Sequence, residues 1–237
     1  MRKVTGGNAM TPLIILGLAL SFATSAYAES KKLHKGFVYA EQVVPGIKME
    51  IRYFTSNNFT GRRVDGYLAP RCILTIQAAG TLKKVQNELE PFGLGLKVYD
   101  CYRPQRAVDD FIRWANDLAD TKTKSQFYPN VDKKNLFKEN YIAARSSHTR
   151  GSTVDLTIVS VAGEASGQDI DMGTGFDMFS PKSWPTNLQI TGDQRAHRML
   201  LRSLMTKYGF LPYRQEWWHF TLKNEPFPHT YFNFPVQ

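Results

Sequence analysis

Whatever this chain folds into must bring two distant stretches together. Ser146-Ser147-His148-Thr149-Arg150-Gly151-Ser152-Thr153-Val154-Asp155 carries an imidazole and a carboxylate seven positions apart. Glu216-Trp217-Trp218-His219 carries a second carboxylate and a second imidazole three positions apart. Residues at an odd separation in a straight strand point to opposite faces, so neither pair converges unless its backbone breaks. Gly151 can supply the first break, leaving His148 on a loop and Asp155 in the strand that follows. The second stretch must turn or bulge at Trp217-Trp218. A regular strand through all four residues would weaken the case for Glu216.

Two neutral imidazoles, one carboxylate, an open position for water and a base nearby are the inventory of a catalytic zinc site. The expected ligands of one ion per chain are His148, Asp155 and His219, with Glu216 as the base of a zinc peptidase. Arg103 is the candidate to stabilise a developing oxyanion: Pro104 fixes its backbone, and a guanidinium keeps its charge. Ser146 and Ser147 flank a ligand on a loop, where hydroxyls can hold substrate polar groups. Each residue also has a plainer reading. Asp155 could cap a turn, Glu216 could be a surface charge, and Arg103 could simply bridge an acid such as Asp100. Trp217 and Trp218 read as core and cleft wall. His34, His197 and His229 have no ligand-like company.

Residues 1–28 read as a secretory signal: Arg2 and Lys3, an apolar run from Leu13 to Leu20, and Ala26-Tyr27-Ala28 before the cut. The run is shorter than the roughly 20 residues a membrane span requires. Residues 29–237 then form one domain, with no stable membrane insertion after cleavage. Losing Arg2 and Lys3, the leader's only charged residues, takes the formal net charge from +9 to +7. No basic block or nucleic-acid motif accompanies that charge. It suits the anionic surfaces of a periplasm or cell envelope better than nucleic acid. Export also permits a disulfide between Cys72 and Cys101, the alternative being two buried thiols.

Apolar spacing predicts a strand over Ile47–Tyr53, a loop over Thr55–Gly66 and a helix over Arg71–Leu89. It predicts a strand over Leu94–Tyr99, then a helix after Pro104 carrying Val108, Phe111 and Trp114. Asp120–Glu139 reads as a polar surface segment near a cleft. Val154–Val161 reads as a strand. Arg195–Tyr208 reads as a helix with Met199, Leu200, Leu204 and Met205 inward, and Phe210–Leu222 holds the last strand. The tail Pro226–Val236 should pack back on the body. The class is α+β, a small and mainly antiparallel central sheet with helices packed on it.

Ser146-x-His148-x-x-Gly151-x-x-x-Asp155 followed by Glu216-x-x-His219 resembles the zinc D,D-peptidases. Tyr102-Arg103-Pro104-x-Arg106-Ala107-Val108, Asp155-Leu156-Thr157, Asn58-Phe59-Thr60-Gly61, Phe176-Asp177 and Tyr231-Phe232-x-Phe234-Pro235-Val236 narrow the likeness to the VanX-type D-Ala-D-Ala dipeptidases. The resemblance implies zinc on His148, Asp155 and His219, Glu216 as base and Arg103 as transition-state stabiliser. It implies Ser146, Asp177 and Tyr53 in the pocket for a small D-amino-acid dipeptide, which would be split into two D-alanines in wall-peptide turnover. Thr153 departs from the alanine usual in that motif. The export leader is a second departure, since resistance-linked members act in the cytoplasm. A D,D- or L,D-carboxypeptidase acting on peptidoglycan stems, or an inactive wall-peptide binder, would use the same ligands.

Overall fold

The computed structural model describes residues 33–237 together with 1–3 and 6, so the expected secretory signal falls almost wholly outside the described residues. Strand Phe37–Tyr39 (β1) runs into one helical turn, Ala40–Val43 (α1), and then the two-residue strand Lys48–Met49 (β2). Strand Ile73–Thr75 (β3) passes directly into helix Ile76–Leu89 (α2). Strand Leu94–Asp100 (β4) and helix Gln105–Asn116 (α3) follow, with a short helix Lys124–Phe127 (α4) beyond them. Strand Thr153–Ser160 (β5), helix Gly192–Lys207 (α5) and the hairpin strands Phe210–Pro212 (β6) and His219–Leu222 (β7) complete the order.

The central sheet runs β2-β4-β5-β7-β6, with only the β2–β4 pair parallel; β1 and β3 form a separate antiparallel pair. This is the expected α+β arrangement. β5 lies in the middle, and its first seven residues are all buried. Its period of two puts Val154, Leu156 and Ile158 on one face and Thr153, Asp155 and Thr157 on the other. α2 lies against β4, and α5 lies against β6 and α2. The tail returns as expected: Phe234 stacks on Tyr102 at 4.2 Å between ring centroids, and Val236 bonds the backbone of Gly66, Leu68 and Ala69.

Several local expectations need correction. The helix expected from Arg71 begins only at Ile76, because Ile73–Thr75 pair with β1 and the Thr75 hydroxyl caps the helix at Ala78 N–H. The Ile47–Tyr53 strand shrinks to two exposed residues, and Arg52–Phe54 form a 3-10 turn that buries Tyr53. α5 starts at Gly192, three residues early, because Thr191 and Gln194 form a reciprocal capping box. Its inward face is Arg198, Leu201, Leu204 and Met205, while Met199 and Leu200 are exposed. Arg198 is inward because three backbone carbonyls, of Met172, Lys182 and Trp184, accept from it. Asp120–Glu139 is no mere surface segment, for it inserts Phe127, Tyr128, Val131 and Leu136 into the core. Phe210–Leu222 holds two strands rather than one.

The Thr55–Gly66 loop is fixed to α3 by charge. Arg62 donates to both Asp110 oxygens at 2.7 and 2.6 Å, and Arg113 and the Asp65 N–H add bonds at 2.9 and 3.1 Å. Burial alone would raise the Asp110 pKa, but the contacts with Arg62, the Asp65 N–H and Arg113 together outweigh it and lower the value. Asp110→Asn should therefore cost about 2 kcal/mol at neutral pH. A carboxylate with a lowered folded pKa stabilises above its unfolded value, roughly 3.9, and loses that contribution as pH falls through the folded one. The gap between wild type and variant in urea denaturation should narrow as pH falls below the unfolded value of roughly 3.9.

Candidate active site

Three neighbouring strands set Asp100, Asp155 and His219 side by side. Asp155 on β5 pairs with Asp100 on β4 and with His219 on β7. Directly opposed residues project from the same side of a sheet. The alignment depends on a bulge: after Val98 pairs with Leu156, β4 spends both Tyr99 and Asp100 before Asp155 is reached. Without the extra residue, Tyr99 would stand opposite Asp155. Bulges commonly re-aim a side chain in this way.

His148 arrives over the same face from a 3-10 turn, Ser147–Arg150, that precedes β5. The Ser146 hydroxyl caps the turn by accepting from His148 N–H at 3.3 Å. Gly151 closes it with φ +81°, and a Cβ there would lie 2.1 Å from the Phe37 ring. The turn is also held from outside. Phe232 N–H donates to Thr149 O at 3.0 Å, and Arg103 N–H donates to His148 O at 3.3 Å. His148 Nδ1 lies 2.7 Å from Cys101 O, and Cys101 is joined to Cys72 by a disulfide.

The second stretch breaks where convergence requires it. β6 ends at Pro212 and β7 begins at His219, with a turn across Tyr213–Trp218. Trp217 anchors that turn, its N–H on Ser183 O at 3.0 Å and its indole N–H on Thr174 Oγ1 at 2.9 Å, while Trp218 is fully buried. Glu216 Oε2 thereby comes 3.5 Å from His219 Nδ1.

The candidate ligand atoms of His148, Asp155 and His219 all lie within 4.8 Å of one another. His148 Nε2 is 3.2 Å from Asp155 Oδ2, His219 Nδ1 is 3.1 Å from Asp155 Oδ1, and the two imidazole nitrogens are 3.3 Å apart. The opposite ring nitrogens already face oxygens, Cys101 O for His148 and Ser147 Oγ, at 3.3 Å, for His219. That assigns protons outward and lone pairs inward. Asp155 Oδ1 is buried and, despite the nearby imidazole, lacks a hydrogen bond of good geometry. Converging lone pairs beside an unsatisfied carboxylate oxygen fit a divalent cation. Burial lowers the His148 pKa, which favours the neutral, coordinating form. Burial would raise that of Asp155, but both histidines outweigh it and hold the carboxyl well below its usual range. Burial opposes charge on His219 too, yet its bond to Asp155 raises the pKa. Burial, with Asp155 adding to it, pushes Glu216 up to about 7.

Arg103 is held at the back of the site. Its Nε and Nη2 each lie 2.9 Å from Asp100 Oδ2, Nη2 is 3.6 Å from Asp155, and the guanidinium carbon sits 5.0 Å from the Tyr53 and Phe111 ring centroids. The plainer reading, a bridge to Asp100, is thus correct as far as it goes, and the guanidinium still borders the site. Tyr53 OH donates to Asp177 Oδ2 at 2.8 Å. Burial, then the charge of Asp155, pushes the Asp177 pKa well up. Ser146, Tyr53, Asp177, Glu216 and Arg103 all line one cavity of about 380 Å³ with the three ligands. Ser146 and Ser147 both have structural partners there, the turn and His219. Thr153 turns its hydroxyl to Thr221 at 2.8 Å.

Sequence reasoning gave Asp100 no role of its own. It is fully buried, grips Arg103, accepts from Tyr67 OH at 2.5 Å and lies 3.5 Å from His148 Nδ1. Its i,i+3 spacing to Arg103 was the available signal, but the bulge that aligns it was not readable. The steric argument at Gly151 has a measurable consequence. Gly151→Ala should destabilise the fold by about 3 kcal/mol, from a strained left-handed backbone and overpacking against Phe37. Thermal denaturation checks this, with Phe37→Ala partly relieving the loss.

A family model described as D-ala-D-ala dipeptidase, Peptidase_M15, matches residues 33–237. A D-alanyl-D-alanine dipeptidase of Streptomyces coelicolor is 44% identical over 84% of this chain and 98% of that protein. Dipeptidases of the same name from Enterococcus faecalis and Enterococcus faecium are 40% and 38% identical, over 86% and 85% of this chain and 100% and 98% of theirs. With the match running through every element that builds the site, the chain belongs to the Peptidase_M15 family of D-ala-D-ala dipeptidases, and so to the metallopeptidases.

Proposed function

We propose that this chain is an exported, zinc-dependent dipeptidase that hydrolyses D-alanyl-D-alanine to two D-alanines during turnover of cell-wall peptides. The observation that carries the reading is the meeting of Glu216 with His148, Asp155 and His219 in one cavity. A structural site has no use for a half-buried base beside its ligands. His148, Asp155 and His219 would hold the ion, which when bound supplies Lewis acidity and lowers the pKa of water towards roughly 7.

Glu216 takes the proton of the attacking water and passes it to the leaving amine nitrogen. Burial, which raises its pKa, opposes the lowering by a bound divalent charge, leaving a carboxylate that can accept a proton and give it back. Arg103 offers fixed positive charge to the developing oxyanion. Asp100 and the flanking rings hold it in place before substrate arrives, so no reorganisation is needed then. A dipeptide is a zwitterion. Asp177, steadied by Tyr53, answers its ammonium, and a cation beside Asp177 would restore the charged form that burial disfavours.

The N-terminal leader supports an envelope or periplasmic address. So does the Cys72–Cys101 disulfide, which suits an oxidising compartment. No nucleic acid enters this reading. Among the described residues, no helix is long and apolar enough to cross a membrane.

Purified protein should contain one zinc per chain, and a chelator should abolish hydrolysis of D-Ala-D-Ala until zinc is restored. Glu216→Gln should keep the metal and lose about 10³-fold in kcat; retained activity would remove Glu216 as base. Arg103→Ala should lower kcat by about 10²-fold or more with a smaller change in KM. Because Glu216 acts unprotonated, kcat/KM should fall with acid. A bound divalent charge draws its pKa down, so that limb should lie below about pH 7. A pentapeptide stem cleaved in preference to the free dipeptide would favour the carboxypeptidase alternative.

A further inference from the structure

We infer that Arg145 is the specificity-determining residue that reads the free carboxylate of the substrate. This rests on the dipeptidase reading above and goes beyond it, since that reading leaves the negative end of the zwitterion without a partner.

The cavity's charge inventory makes the assignment. Its lining includes two groups of permanent positive charge, Arg103 and Arg145. Arg103 is bound to Asp100 at 2.9 Å and lies 3.6 Å from Asp155, deep beside the ligands. Its charge answers those two buried acids and the reacting centre. Arg145 is exposed and makes no salt bridge among the described residues. Arg150, whose guanidinium carbon lies 5.9 Å from the Tyr231 ring centroid, is by contrast taken up by Glu225, with bonds of 2.9 and 3.1 Å from Nε and 2.6 Å from Nη2.

Arg145 is nonetheless held in position. Its guanidinium carbon lies 4.7 Å from the Tyr231 ring centroid. A cation held over an aromatic face keeps N–H groups to donate elsewhere, and the guanidinium fork matches a carboxylate in a two-point contact. The Gln105 side chain bonds Ala144 O at 3.1 Å, fixing the backbone one residue before. Arg145 precedes the ligand His148 by three residues, so at most about 11 Å of chain separates their Cα atoms. A guanidinium there is within reach of a carboxylate one amino acid beyond the scissile bond. The acids Asp177 and Glu216 lie in the same cavity and repel a carboxylate placed near them. The C-terminal end of the substrate is thereby directed to the Arg145 rim and the ammonium to Asp177.

The test compares two peptides on one preparation, D-Ala-D-Ala and its neutral C-terminal amide, D-alanyl-D-alaninamide. The readout is the ratio of kcat/KM for acid over amide, which cancels any loss of folded or metal-loaded protein. The wild-type ratio should be large. In Arg145→Gln it should fall by about 10- to 100-fold, mainly through a higher KM for the acid. Arg145→Lys should retain much of the preference, since it keeps the charge and loses only the two-point geometry. An unchanged ratio in Arg145→Gln would overturn the assignment while leaving the dipeptidase reading intact. Failure of zinc-loaded wild type to cleave either peptide would overturn both.

Discussion

A buried carboxylate must be answered by positive charge, and this sheet buries two of them face to face. Asp100 and Asp155 are opposed across the β4–β5 ladder, and neither exposes more than 2% of its surface. Like charges directly opposite one another destabilise a sheet, and an ionised group this deep costs several kcal/mol if left unanswered. Arg103 supplies one positive charge to both. The remaining demand falls on the space between Asp155, His148 and His219. The converging lone pairs and the unsatisfied Asp155 oxygen favour a positive charge there, a proton or a cation.

The rest of the molecule is arranged to keep that requirement local. His148 depends on a turn that three distant pieces of chain, at Phe37, Cys101–Arg103 and Phe232, hold in place. Phe37 leaves room only for glycine behind it, Cys101 O takes its outward proton, Arg103 bonds its carbonyl and Phe232 bonds the next one. The disulfide joins the residue before β3 to the residue after β4, and so tethers the carbonyl that orients His148. Second contacts of this kind set the tautomer and aim of a ligand, and metal sites lose affinity when they are removed.

What could be read from sequence was whatever a local break or period encodes. Gly151 between His148 and Asp155, and the need for a turn at Trp217-Trp218, followed from strand geometry alone. So did β4, β5 and α3, where apolar period and a breaker coincide. The misses have a common cause. β3 runs into α2 with no turn residue between them, so its three residues blend into the helical pattern. α5 buries an arginine that satisfies backbone carbonyls of the irregular segment preceding the helix, and hydropathy spacing assigns that face outward. Asp100 owes its place to a one-residue bulge, and pairing register is a property of two strands that neither sequence carries by itself. Arg145 was passed over because its neighbours Ser146 to His148 carried the motif, while its own partner, Tyr231, lies in the tail.

The brace from Phe232 to the His148 turn gives the site an order in time. Synthesis runs from the N-terminus, so the turn and β5 exist well before β7 and the tail. A chain extended only as far as β6 has Asp155 on a strand whose β7 partner is missing and His148 on a turn that the tail does not yet brace. The third candidate ligand and the brace on the first thus come together from the C-terminal end of the chain, so completing the fold would also complete the cation site.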